Sequence, residues 1–121
     1  MDNTFKDTEK IYRAVYPPET VSMFWREDGH VSSAAFADPK GLSVDRGNDR
    51  TDEDVIADMS KRFNGRFVAL YARNCKDVGA ALVYLPSKGN PYHSEIHGSE
   101  NTLLLSKSQR RHLAEKAIVV K

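Results

Sequence analysis

The stretch from Asn90 to Gly98 holds two of the four histidines of the chain and its densest set of side chains that could do chemistry. Its length and its flanking turn residues predict a β-strand, in which His93, Glu95 and His97 would share one face. Imidazole and carboxylate groups transfer protons near physiological pH and bind zinc or iron. The stretch therefore predicts an acid/base site, or a metal site with His93 and His97 as ligands. A solvent-exposed strand face is the alternative interpretation.

Other polar side chains interrupt segments that otherwise have the composition of strands. An arginine on the apolar face of a strand, as predicted for Arg13, usually pairs with a carboxylate or a bound anion. On an edge strand, the same side chain could instead bend towards solvent. One hypothesis is a cleft where Arg13 binds a phosphate or carboxylate while Glu95 or His93 handles a proton. The candidate catalytic residues of this cleft are Arg13, Ser32, Ser33, His93 and Glu95.

The carboxyl-terminal part of the chain is basic. From Ser106 to Lys121 there are five basic residues and one acid, Glu115, a local balance of +4. Since the formal net charge of the whole chain is +1, the rest of the chain carries about −3. The helix predicted here would present a positive patch able to meet phosphates or an acidic protein. An ordinary exposed helix face is the alternative, since no RNA-type aromatic motif or helix-turn-helix signature is present. The candidate partner-binding residues are Lys107, Arg110, Arg111 and Lys116.

Length and composition predict one globular domain. The chain has 121 residues, 40% of them hydrophobic and 29% charged, and these values are ordinary for a folded domain. Cys75 is the only cysteine, which favours a reducing compartment and the role of a buried apolar filler. The polar start of the chain lacks the apolar core of a signal peptide, and no apolar run approaches the length of a membrane span. We expect a cytoplasmic protein without membrane contact, with residues 1–8 frayed.

Periodicity predicts an α+β fold, a single mixed or antiparallel sheet of four to six strands packed against two helices. The predicted strands are Lys10–Tyr16, Leu42–Asp45, Arg66–Ala72, Ala80–Leu85 and the histidine stretch. The predicted helices run from Thr51 to Phe63 and from Ser106 or Ser108 to about Ala117. Residues 118–120 could extend the last helix or form a closing strand. We expect the strands at 66–72 and 80–85 to be neighbours at the sheet centre, because both are apolar on both faces.

Several spaced segments carry a resemblance to known proteins. The chain resembles a family of small uncharacterised bacterial proteins in the segments Ile11–Arg13, Gly29–Phe36, Leu42–Asp45 and Pro91–Gly98. This resemblance covers most of the chain and implies a bacterial protein, with no activity attached.

A weaker resemblance is to compact ADP-ribosyltransferase-type folds, in which an early-strand arginine or histidine, a middle serine and a late glutamate appear in that order. Arg13, Ser32 or Ser33, and Glu95 match that order. If the cleft binds a dinucleotide, this likeness implies NAD as the natural ligand. A separate variant of the enzyme hypothesis is metal-assisted hydrolysis, if His97 joins His93 on an ion.

The leading hypothesis for function is a bacterial accessory protein that binds a protein or nucleic-acid partner. The alternative is the small enzyme just described. The sequence leaves the choice between them open, and it identifies no cofactor.

Overall fold

The computed structural model describes all 121 residues, and its centre is one antiparallel sheet of six strands in the order β4-β5-β2-β1-β3-β6. The strands are β1 Lys10–Val15, β2 Leu42–Arg46, β3 Arg66–Tyr71, β4 Ala81–Tyr84, β5 His93–His97 and β6 Ile118–Val119. The helices are α1 Asp52–Met59, α2 Ala72–Lys76 and α3 Lys107–Lys116, with two 3-10 helices at Ser22–Phe24 and Ser33–Phe36. The predicted α+β class with a single sheet is confirmed.

The two faces of the sheet are covered by different helices. The larger core lies on the face that contains Ile11 and Val44, where α2, α3 and the second 3-10 helix pack; we call it the α3 face. The smaller core lies on the opposite face, where Val55 and Met59 of α1 cover Tyr12 and neighbouring side chains of β3; we call it the α1 face. Because paired residues of adjacent strands share a face, the register assigns every strand residue to one of the two.

The predicted centre of the sheet is wrong. The strand β4 forms one edge and pairs only with β5, while β1 and β2 occupy the middle. β4 is apolar because Leu82 and Tyr84 pack against the larger core, whereas Ala81 and Val83 lie beside the polar side chains of β5. The apolar composition of β4 therefore reflects partial burial of both its faces and does not determine its position in the sheet.

The ends of the two long helices follow their capping residues. The Thr51 side chain accepts a hydrogen bond from the Asp54 backbone N–H, as predicted. Helix α1 ends at Met59 instead of Phe63, because its last turn tightens and leaves the Phe63 ring 42% exposed. Ser106 and Gln109 form a capping box that begins α3, and residues 118–119 form the closing strand.

The first residues of the chain are packed against the sheet. Phe5 is 4% exposed, and the Arg46 guanidinium stacks on its ring at 4.1 Å. Arg46 also donates to both Glu9 carboxylate oxygens at 2.8 Å and to the Thr4 carbonyl at 2.9 Å. Of residues 1–8 only Phe5 is buried, so the expectation that this segment is frayed stays a prediction. None of the helices has the length and apolar character needed to cross a membrane.

Candidate functional site

The strand β5 holds the histidine stretch as predicted, with His93, Glu95 and His97 on the α1 face and the intervening side chains buried. The Glu95 carboxylate contacts both imidazoles. Its Oε1 lies 2.7 Å from Nε2 of His97, and its Oε2 lies 3.9 Å from Nε2 of His93. The three side chains are 14 to 27% exposed, so this His93–Glu95–His97 ladder is largely shielded from solvent.

The loop before β2 lies directly against this ladder. Gly41 has a φ of +99°, and a Cβ placed on it would collide with the Glu95 carboxylate and come within 3.1 Å of Nε2 of His97. Only glycine combines this backbone conformation with such a close approach. The ladder therefore depends on a glycine at position 41, in the loop before β2.

The ladder lacks the arrangement of a metal centre. No group of three or more histidine, cysteine or acidic side chains in the chain is placed to hold a metal ion. Oε1 of Glu95 is hydrogen-bonded to Nε2 of His97, a contact that a metal ion at this nitrogen would have to displace. The pair His93 and His97, predicted as metal ligands, thus finds no third ligand in the fold.

A buried carboxylate lies next to the ladder. Asp45, whose side chain is 4% exposed, is the cross-strand partner of His93 and accepts hydrogen bonds at 2.8 Å from Arg62 and from Asn90. A cavity of about 200 Å³ beside it is lined in part by His93 and Phe63. Each Asp45 oxygen accepts one hydrogen bond, so the buried carboxylate holds Arg62 and Asn90 against β2.

Arg13 does not join this cluster. It lies on the α3 face, where its Nε donates to the Ala35 carbonyl at 2.8 Å and its Nη1 donates to the Ser43 carbonyl at 2.9 Å. Burial lowers the pKa of Arg13 to about 10, and Asp38 opposes this effect. No carboxylate forms an ion pair with the guanidinium. Backbone carbonyls have taken the place of the partner carboxylate or bound anion that the sequence predicted.

The predicted cleft is therefore not assembled. Tyr12 pairs with Asp45, and Asp45 pairs with His93, so these three share the α1 face with Glu95. Arg13 follows Tyr12 and projects to the opposite face. The sheet separates the predicted anion-binding group from the predicted proton-handling groups.

The two serines lie on the α3 face, away from the ladder. Ser32 donates its hydroxyl to the Met23 carbonyl at 2.6 Å, whereas the hydroxyl of Ser33 forms no hydrogen bond within the protein. Both line a cavity of about 280 Å³ between the loop at residues 26–30, the second 3-10 helix and α3. We call this cavity the Arg111 pocket, and it is lined by Arg26, His30, Val31, Ser32, Ser33, Arg111, Ala114 and Glu115.

The four cations predicted on α3 form two groups. Arg110 is partly buried and donates to the Leu105 carbonyl at 2.7 Å, so its guanidinium is committed to the start of the helix. Lys107 and Arg111 are exposed and one helical turn apart, while Lys116 lies nine positions after Lys107 and so projects from the opposite side of the helix. None of the four forms an ion pair.

Sequence reasoning missed Arg26 and His30, which complete the Arg111 pocket. They flank a tight turn in which Gly29 has a φ of +90° and the Arg26 N–H donates to the His30 carbonyl at 2.7 Å. The Asp28 carboxylate contacts both side chains, and its hydrogen bond from the His30 N–H lowers the Asp28 pKa. The sequence predicts the turn itself from its residue types. It does not predict that the turn packs beside α3, because that is a contact between distant segments of the chain.

Comparisons with protein-family models, with characterised proteins and with solved structures give no match for the chain. The resemblances to small bacterial proteins and to ADP-ribosyltransferase-type folds stay predictions from the sequence.

Proposed function

We propose that the protein is a small cytoplasmic accessory protein of bacteria that acts by binding an anionic partner, protein or nucleic acid, through the exposed side of α3. The observation that carries the proposal is the state of the helix cations. No basic side chain of α3 has an acidic partner, whereas Arg46, Arg50 and Arg62 all form ion pairs elsewhere in the fold. Unpaired, exposed charge remains available to a partner and raises the rate of association with an oppositely charged surface.

The distribution of charge over the chain supports the same function. The segment from Ser106 to Lys121 carries a local balance of +4 within a protein whose formal net charge is +1. An anionic partner would therefore be attracted to one side of the molecule and not to the whole surface.

The alternative of a small nucleotide-binding or hydrolytic enzyme is less well supported. It required Arg13 and Glu95 in one cleft, and these side chains project from opposite faces of the sheet. A hydrogen-bonded Glu95–His97 pair alone does not define a substrate site, because His97 does not line the neighbouring cavity.

Co-purification tests the proposal. The tagged full chain, recovered from a bacterial lysate with and without nuclease, should retain an identified partner whose release depends on salt. The double substitution Lys107→Gln and Arg111→Gln should abolish retention, because it removes both exposed cations of the first two helical turns. The matched control is Lys61→Gln with Lys88→Gln, which removes two exposed, unpaired cations outside α3. Recovery of clean, partner-free protein under both conditions would contradict the proposal.

A further inference from the structure

The Arg111 pocket brings together hydrogen-bond donors from three separate elements. Arg26 and His30 come from the loop before the second 3-10 helix, Ser33 from that helix, and Arg111 from α3. The floor is apolar, since Val31 is 2% exposed and Ala114 is 6% exposed. Four side chains able to donate hydrogen bonds thus surround one concave space of about 280 Å³.

We infer that this pocket binds a phosphate group and that the anionic partner of α3 is a nucleic acid. The inference rests on the proposed function and deepens it, because it names the chemistry recognised and adds Arg26, His30 and Ser33 to the interface. The Ser33 hydroxyl is exposed and has no partner in the protein, so it is free to donate to an oxygen of the ligand.

The shape of the donor set favours phosphate over carboxylate. A carboxylate has two oxygens in one plane, and a single guanidinium can satisfy both. Donor side chains that line one pocket from a loop, a 3-10 helix and a long helix instead suit a tetrahedral group whose oxygens point in several directions. An acidic peptide would leave part of this donor set unused.

The surroundings of the pocket favour a strand of phosphates over an isolated one. Lys107 lies one helical turn before Arg111, so its ammonium group is within reach of a ligand that continues beyond the pocket. A nucleic-acid strand carries one phosphate at every nucleotide and can meet both cations at once. Lys116 faces the other side of α3 and lies outside this path.

Two acids lie near the ligand: Asp28 contacts Arg26 and His30, which a bound phosphate would have to draw away from it, whereas Glu115 has no partner and supplies a sharp test. Glu115 lines the pocket, is exposed and forms no ion pair, so its charge would repel a bound phosphate. Replacing it by the isosteric amide removes the repulsion and leaves the helix intact. Glu115→Gln should therefore strengthen binding, a gain that a purely structural role would not produce.

Fluorescence anisotropy with a labelled oligothymidine, and with a labelled oligoglutamate of equal charge, measures the inference on the full chain. Ser33→Ala should weaken oligothymidine binding roughly fivefold, the equivalent of one hydrogen bond. Arg26→Gln should reduce the slope of log affinity against log salt by about 1. The matched controls are Glu53→Gln on α1 and Lys61→Gln just after it, both at the other face of the sheet. They should leave the affinity and the salt slope near wild type.

A second measurement tests phosphate binding by the pocket in the absence of a nucleic-acid partner. Inorganic phosphate, titrated into ¹⁵N-labelled protein at constant ionic strength, should shift the backbone amide signals of His30, Ser33 and Arg111. Shifts without oligothymidine binding would uphold the phosphate pocket and overturn the nucleic-acid partner. Binding of oligoglutamate alone, or oligothymidine binding that Ser33→Ala and Glu115→Gln leave unchanged, would overturn the pocket while the proposed function stands. Absence of all three responses would overturn both.

Discussion

At the scale of single residues, Gly41 decides whether the histidine ladder can form. Its backbone lies against the Glu95 carboxylate, and its positive φ is a conformation that other residues adopt at a cost. Two separate penalties are therefore expected for a side chain at this position. One is backbone strain, and the other is displacement of a carboxylate that holds His97.

Gly41→Ala should lower the free energy of unfolding by about 2 to 4 kcal/mol, the sum of the strain and of a disturbed hydrogen bond. Urea denaturation measures it. Gly29→Ala, with a φ of +90° and open space around it, should show the strain alone, and Gly89→Ala should be near neutral. Adding Glu95→Ala to Gly41→Ala should recover the part that comes from the clash. Equal losses at Gly41 and Gly29 would contradict a role for the carboxylate.

At the scale of elements, the sequence carried the local information and lacked the long-range information. Alternation of polar and apolar residues predicted β5 and the common face of its three polar side chains, because side-chain direction is a local property of a strand. The position of β4 at the edge depends on pairing between distant segments, which composition does not encode. The sequence did not predict Arg26 and His30 as site residues for the same reason, since only the packing of their loop beside α3 gives them a common pocket with Arg111.

The amino-terminal segment is an element whose order depends on one buried ion pair. Glu9 and Arg46 have side chains that are 7% and 3% exposed, and Arg46 also holds the carbonyls of Asp2 and Thr4. Removing one partner of a buried pair leaves the other charge uncompensated. Residues 2–5 should then lose their anchor on the sheet.

Glu9→Gln should lower the free energy of unfolding by about 3 to 5 kcal/mol. It should also accelerate amide hydrogen exchange in residues 4–9 more than in β3, because the segment opens locally. Asp7→Asn is the control within the same segment: it breaks the exposed pair with Lys76 and should cost less than about 1 kcal/mol. Exchange that rises uniformly over the whole chain would contradict local anchoring.

At the scale of the whole molecule, the sheet keeps two kinds of polar chemistry apart. The α1 face carries Asp45, which accepts hydrogen bonds from Arg62 and Asn90, and the His93–Glu95–His97 ladder, in which Glu95 is hydrogen-bonded to His97. The α3 side carries Lys107 and Arg111, two exposed cations without an acidic partner. Because the sheet lies between these two sets of groups, Arg13 and Glu95 do not share a cleft.

The alkaline limit of stability is also a property of the whole fold, because it depends on groups buried in both cores. Burial raises the pKa of the Cys75 thiol from 9.0 to about 12, with Lys76 opposing, and burial also raises the pKa of Tyr12, helped by its hydrogen bond to Asp52. Both groups therefore keep their protons in the folded protein after the unfolded chain has lost them. By linkage, the stability that they contribute is complete below the unfolded pKa and is lost as pH rises towards the folded one.

The two residues act in successive windows of pH. Of these two groups, only the thiol differs between the states between about pH 9 and pH 10, since the ordinary pKa of tyrosine is 10.0. Arg13, whose pKa burial lowers to about 10, contributes a slope of opposite sign that is the same in wild type and in both variants. Each such group contributes a slope of at most about 1.4 kcal/mol per pH unit.

Cys75→Ala should therefore flatten the fall in unfolding free energy from pH 9 upwards, and Tyr12→Phe should flatten it only above about pH 10. Urea denaturation under reducing conditions at closely spaced pH values measures both slopes, and the constant offset from the lost side-chain atoms does not affect them. A Cys75→Ala protein whose stability falls as steeply as wild type in the first window would show that the buried thiol does not set this limit.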